Sequence, residues 1–243
     1  MADVTTTDRI FLRDAQCRAF DATVVAVDDE GRAALDATAF YATSGGQPHD
    51  TGTLAWDGGS AAVTDVRGYD VVWHTLDGPD TPAVGTAVRG ELDWGRRHGL
   101  MRTHTALHIL CGVIYNTWGV SVTGGNMAPL SARMDFEFDP LPEGFAAQVT
   151  ELVNAEIAAD RPIEVSFLPR SEALADEDLI RTKVNLIPES VTEIRVIDIV
   201  GLDKQADGGT HLPSTGQVGR FEVVKTESKG KANKRLRIAV HDA

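Results

Sequence analysis

The rhythm of polar and apolar positions changes once along this chain, near Asp93. Upstream, apolar residues come in short runs such as Phe20-Asp-Ala-Thr-Val-Val-Ala-Val27 and Ala83-Val-Gly-Thr-Ala-Val-Arg-Gly-Glu-Leu92, which read as strands. Turn signals, Asp28-Asp-Glu-Gly31 and Asp57-Gly-Gly59, lie between the runs. No strong helical period appears there, so residues 1–92 predict a small β-barrel. Downstream, Ala106, Ile109, Leu110, Val113 and Ile114 follow helical spacing, and Asp93 is a good N-cap for that helix. A second helix is expected over Pro142–Ala159, burying Phe145, Val149, Leu152, Val153 and Ile157 and ended by Pro162. Strands are expected at Ile163–Leu168 and Glu193–Val200, with a short acidic helix near Ser171–Arg181 between them. Gln217–Thr226 and Arg235–His241 read as a closing hairpin. The fold class is α+β: an N-terminal small β-barrel over residues 1–92, then residues 93–243 with helices packed on a largely antiparallel sheet.

Composition narrows the setting. A chain of 243 residues suits one large domain or two modest ones. No apolar run is long enough to span a bilayer, and Met1–Asp8 carries no signal-peptide pattern. Two cysteines, Cys17 and Cys111, give no disulfide framework. A cytoplasmic protein is expected, with no membrane association and no obligate protein partner evident. The net charge of −13, with 17 Arg against 6 Lys, reads as a surface adapted to high salt and argues against general affinity for nucleic acid. Charge is uneven, however. Lys225, Lys229, Lys231, Lys234, Arg235 and Arg237 face only one anion in their stretch, Glu227. That patch fits a specific anionic partner, and a solvated basic tail is the competing reading.

Candidate chemistry centres on histidine. His104 and His108 sit in Arg102-Thr-His-Thr-Ala-Leu-His-Ile-Leu110, four residues apart and so on one helix face. His211 closes Asp207-Gly-Gly-Thr-His211 about a hundred residues later. Three imidazoles with one position over are a tetrahedral zinc set, one Zn2+ per chain. Asp207 is favoured over Cys111 as a fourth ligand, because a buried free cysteine is usually core. Thr105 stands where helical zinc proteases place their glutamate base, so the set is not theirs. The plainer alternative is a surface helix with two polar residues per turn. His49 and His74 read as structural.

At these residues the chain resembles the editing domain of alanyl-tRNA synthetases and the free-standing AlaX-type editing proteins. The first histidine motif and Gln205-Ala-Asp-Gly-Gly-Thr-His211 are similar to the family's two zinc motifs, the second with Asp207 where the family has cysteine. Phe40-Tyr-Ala-Thr-Ser-Gly-Gly-Gln-Pro-His-Asp-Thr-Gly52 resembles the glycine-rich stretch of its barrel. Arg133-Met-Asp-Phe136 and the basic residues from Ser228 onward also match, so the likeness covers nearly the whole chain. The resemblance implies a trans-acting, zinc-dependent deacylase of misacylated tRNA(Ala), chiefly Ser-tRNA(Ala) and also Gly-tRNA(Ala). It implies metal ligands His104, His108, His211 and Asp207, with Asp207 and Thr210 as catalytic residues. Thr43, Gly45, Gly46 and Gln47 become substrate contacts, although a tight turn alone would explain the two glycines. Lys229, Lys231, Lys234 and Arg235 become tRNA contacts, joined by Arg96, Arg97 and Arg102. A general zinc-dependent esterase and a tRNA-binding module without turnover are the alternatives.

Overall fold

A computed structural model describes residues 6–175, 179, 191–230 and 232–243. The chain forms two compact units, Met1–His98 and Gly99–Ala243.

The first unit contains β1 (Asp8–Arg9), β2 (Ala19–Val27), β3 (Ala33–Leu35), β4 (Ala37–Thr38), β5 (Gly52–Trp56), β6 (Gly59–Arg67), β7 (Trp73–Asp77) and β8 (Ala87–Leu92). Six of these close into a barrel in the order β2-β3-β7-β6-β5-β8, sealed where β8 pairs with both β2 and β5. Closure leaves those strands no open edge. Alternation along β8 sends Val88, Gly90 and Leu92 inward and Ala87, Arg89 and Glu91 outward, the period-two pattern of a half-buried strand. Phe20, Val24, Leu35, Phe40, Leu54, Val63, Val66 and Val88 fill the interior. His74 is a structural residue of the barrel. It is buried, with Thr38 Oγ1 2.9 Å from Nε2 and Ala33 O 3.0 Å from Nδ1, and burial pushes its imidazole down to about 4.

Helix α1 (Trp94–Trp118) starts where Asp93 predicts, with Asp93 Oδ1 accepting from Arg96 N at 3.1 Å. The second unit adds β9 (Val122–Ala128), β10 (Ser131–Glu137), α2 (Phe145–Ala158), β11 (Ile163–Pro169), α3 (Arg170–Ala175), β12 (Glu193–Ile199), β13 (Asp203–Ala206), β14 (Arg220–Ser228) and β15 (Asn233–His241). The expected single sheet is two antiparallel sheets, β14-β15-β10-β9 and β11-β12-β13. The β9–β10 hairpin is absent from the periodicity reading because Val122-Thr-Gly-Gly-Asn-Met-Ala has no alternating apolar face. The acidic helix near Ser171–Arg181 is helical over Arg170–Ala175, and the rest of that expectation lies outside the described residues. Helix α2 begins at Phe145, three residues later than expected, after Gly144 in the left-handed region. It buries Phe145, Val149, Val153 and Ile157, while Leu152 is half-buried.

Helix α1 is no surface helix: every residue from Gly99 to Ile114 is buried. It touches both sheets. Thr103 Oγ1 donates to Ala128 O of β9, Cys111 Sγ meets Met134 Sδ of β10 at 3.6 Å, and His108 faces Asp203 of β13. A helix enclosed in this way carries its polar residues into the interior, where each needs a partner.

Candidate metal centre

His104, His108, Asp207 and His211 come together. Each offers one ligand atom, and these atoms all lie within 4.8 Å of one another. The three ring centroids are 5.2, 4.3 and 4.6 Å apart. Helix α1 supplies the first two rings by its i,i+4 spacing. The other two ligand residues come from the turn that follows β13. Asp207 N extends the ladder to Arg195 O at 3.1 Å, and Arg195 Nη1 donates to Asp207 O and Gly209 O, both at 2.9 Å. Gly209 N donates to Asp207 Oδ2 at 2.6 Å, closing a turn of the kind Asp favours. Thr105 then ties the turn to α1: Leu212 N donates to Thr105 Oγ1 at 3.1 Å, and His211 Nδ1 lies 3.4 Å from the same oxygen.

The donor set fits a divalent metal. His108 and His211 use Nδ1 on outward partners, Asp203 Oδ2 at 3.2 Å and Thr105, which leaves Nε2 for ligation. Asp207 Oδ2 is 3.0 Å from His211 Nε2, and Asp207 Oδ1 is 3.6 Å from His104 Nε2. Burial pushes the His104 imidazole down to about 4, and burial with the neighbouring His104 takes His211 well below its usual value. Both are thus neutral at pH 7, the form that binds metal. Burial also works to lower His108, but its hydrogen bond to Asp203 and the nearby carboxylates outweigh it, and the net shift is upward. Burial would raise Asp207, yet the surrounding imidazoles hold it well below the usual carboxylate range. Cys111 is outside the group and lies against Met134.

Asp203, Gln205, Arg195 and Thr105 are site residues that motif reading missed or saw only as filler. A signal was present: Asp203, Gln205 and Asp207 recur every second residue, which on a strand places them on one face. Thr210 is fully buried beside His211.

The glycine-rich stretch lies in the barrel unit. Ser44 and Gln47 exchange backbone hydrogen bonds at 3.1 and 2.8 Å, and Gly45 and Gly46 between them have φ of 55° and 86°. Two successive positive φ values make a type I′ turn, which by itself favours glycine at both places. A Cβ on Gly45 would meet nothing within 4 Å, so close backbone approach is not its reason. Thr43 is exposed with its Oγ1 3.1 Å from His49 Nδ1, while Gln47 is buried.

Among the basic residues, Arg235 makes a two-pronged pair with Asp135, both contacts at 2.7 Å. Lys225 and Arg237 share Glu227, and Lys234 Nζ donates to Ser228 Oγ at 3.2 Å. Lys229 is exposed at the hairpin tip, and Lys231 lies outside the described residues. Arg97 and Arg102 are not surface residues as expected. Arg97 is fully buried against Asp50, and Arg102 donates to Val218 O, His241 O and Asp242. Their charge completes buried hydrogen bonding at the start of α1 instead. Arg96 Nε donates to His49 O at 2.9 Å. Among the described residues, no helix is long and apolar enough to cross a membrane.

Residues 194–237 match the family described as the threonyl and alanyl tRNA synthetase second additional domain, and residues 8–96 match class II (A) tRNA synthetases. Over 235 residues the chain is 38% identical to an alanine–tRNA ligase of Pyrobaculum aerophilum, covering 93% of this chain but 26% of the ligase. It therefore spans about a quarter of that relative's length. Coverage is mutual for two others, both alanyl-tRNA editing proteins AlaX-M. The protein from Methanosarcina acetivorans is 33% identical over 244 residues, which is 97% of this chain and 100% of that one. The protein from Saccharolobus solfataricus is 34% identical over 233 residues, 95% and 97% of the two chains. With the histidine cluster in place and the likeness running end to end, this chain belongs to the AlaX-M family of alanyl-tRNA editing proteins.

Proposed function

We propose that this protein hydrolyses misacylated tRNA(Ala) in trans, with Ser-tRNA(Ala) as its main substrate and Gly-tRNA(Ala) as a second, at one Zn2+ per chain. The observation that carries this reading is the convergence of His104, His108, His211 and Asp207 in a chain matched end to end by proteins named for alanyl-tRNA editing. Three imidazoles and one carboxylate are the ligand types zinc takes. When bound, zinc supplies Lewis acidity, or a hold on the amino group of the substrate.

The remaining work falls to the chain. An aminoacyl ester is already activated, so a positioned water and a proton acceptor suffice. Asp207, reached from two sides by imidazole, is the catalytic carboxylate we assign, orienting the water as well as serving as the fourth ligand, while the proton acceptor comes from elsewhere or from the substrate. Thr210 offers a buried hydroxyl next to His211. A site that hydrogen-bonds the serine hydroxyl rejects alanine, because its polar groups are left unpaired without it. Thr43 is the first candidate for that contact, with Gly45, Gly46 and Gln47 forming its turn. Lys229, Lys231 and Lys234 are the proposed phosphate contacts, and Arg235 supports them through its pair with Asp135.

The deciding experiment compares deacylation of seryl-, glycyl- and alanyl-tRNA(Ala), with and without chelator. Ser-tRNA(Ala) should lose its amino acid fastest, alanyl-tRNA(Ala) should survive, and chelator or His211→Ala should abolish turnover. Hydrolysis of unrelated esters with Ser-tRNA(Ala) spared would replace this reading by a general esterase. Salt-dependent tRNA binding without turnover would replace it by a binding module.

A further inference from the structure

The polar residues of β13 alternate. Asp203 and Gln205 are buried, and Lys204 between them is exposed. Asp203 Oδ2 accepts from Gln205 Nε2 at 2.7 Å and stands 3.2 Å from His108 Nδ1. The Asp203 side chain has no exposed surface. A carboxylate is costly at such depth without partners, so its place beside His108 demands a reason.

Helix α1 is shaped for the same contact. Gly112 lies one turn beyond His108, on the same face. A Cβ there would sit 3.0 Å from Asp203 Cβ, 3.0 Å from Leu202 Cγ and 3.1 Å from Leu202 O. Glycine inside a helix is less favourable than alanine, because it has more backbone freedom to lose. Here the missing methyl is the space into which the start of β13 fits. A carboxylate oxygen only accepts, so the proton of this pair belongs to His108 Nδ1, which leaves Nε2 as the lone-pair nitrogen.

We propose that Asp203 is a positioning residue for His108. It selects the imidazole tautomer and fixes the ring so that Nε2 faces His104, Asp207 and His211, while Gln205 and the notch at Gly112 hold Asp203 in place. The assignment rests on the metal reading above. Carboxylates behind a ligating histidine typically contribute about 10–100-fold to metal affinity.

The test is Zn2+ affinity of the full chain, by competition with a chromogenic chelator, together with melting of the metal-free protein. Asp203→Ala should weaken Zn2+ binding by about 10–100-fold. Asp203→Asn should lose less, because its amide oxygen can still accept from Nδ1. Gly112→Ala should weaken binding with Asp203 intact, and it carries the test together with Asp203→Asn if Asp203→Ala fails to fold. Variants that bind Zn2+ as tightly as the parent overturn the proposal, as do variants whose melting falls while Zn2+ affinity stays unchanged. A parent protein that takes up no Zn2+ overturns the metal reading itself, and the role of Asp203 with it.

Discussion

Replacing Thr105 by valine tests how the loop carrying His211 is held. The substitution keeps the branched shape and removes one oxygen. That oxygen accepts from Leu212 N at 3.1 Å and lies 3.4 Å from His211 Nδ1. Thr105 is 0% exposed and Leu212 1%, so no water replaces the lost acceptor. An orphaned buried N–H costs about 1–3 kcal/mol, and the added methyl offsets part of that by burial. A net loss of about 1–2 kcal/mol is expected, or roughly 2–8 °C in melting temperature for a chain of this size. Urea denaturation of the metal-free protein measures the loss, and hydrogen exchange localises it: the Leu212 amide should lose protection before the barrel amides do. Thr105→Ser keeps the oxygen and should keep Leu212 protected. Zn2+ affinity should fall in Thr105→Val, since His211 then arrives on a looser loop. A valine variant with parental stability and an equally protected Leu212 amide would refute the reasoning, because the threonine oxygen would then hold nothing.

Further outcomes follow from the same structure. His74 is pushed down to about 4 by burial, so the unfolded chain takes up a proton near 6.5 before the folded one does. Stability is therefore full above pH 6.5 and is lost progressively between pH 6.5 and 4, by roughly 3 kcal/mol from this group. His74→Gln should flatten that slope in denaturation series across the window, and an unchanged slope would remove His74 as the cause. Zn2+ affinity should weaken on acidification, first through His108, whose raised pKa means that protonation takes the lone pair from Nε2 at a higher pH than in a free imidazole. Equal dissociation constants at pH 8 and pH 6 would contradict this. Asp207→Ala should lose Zn2+ on dialysis, while Cys111→Ala should retain it and lose only about 1 kcal/mol of packing. Metal analysis of the two dialysed proteins decides between oxygen and sulfur as the fourth donor.

Several parts of this protein are legible in its sequence alone. Apolar rhythm separates a strand-rich N-terminal part from a helix beginning at Asp93, because periods of 2 and 3.6 are local properties of the chain. The spacing of His104 and His108 places two rings on one helix face for the same reason. The turn at Ser44–Gln47 was readable too, since only glycine takes positive φ twice in succession at no steric cost. Where local pattern was weak, the reading failed. Val122–Ala128 forms a strand with two glycines and no apolar face, because β10 supplies the pairing that its own sequence does not signal.

What the sequence determined by itself, then, is which residue types are present at which spacing: the histidine pair, the Asp-Gly-Gly-Thr-His turn, the acidic excess and the basic hairpin. Tertiary structure alone decided their environment. Arg97 and Arg102, cations like Lys229, are buried, whereas Lys229 stands in solvent. Asp203 and Thr105 become partners of His108 and His211 across 95 and 106 residues of chain. Charge state, tautomer and ligand readiness all depend on burial and on neighbours brought together by packing, and packing distance has no counterpart in sequence distance.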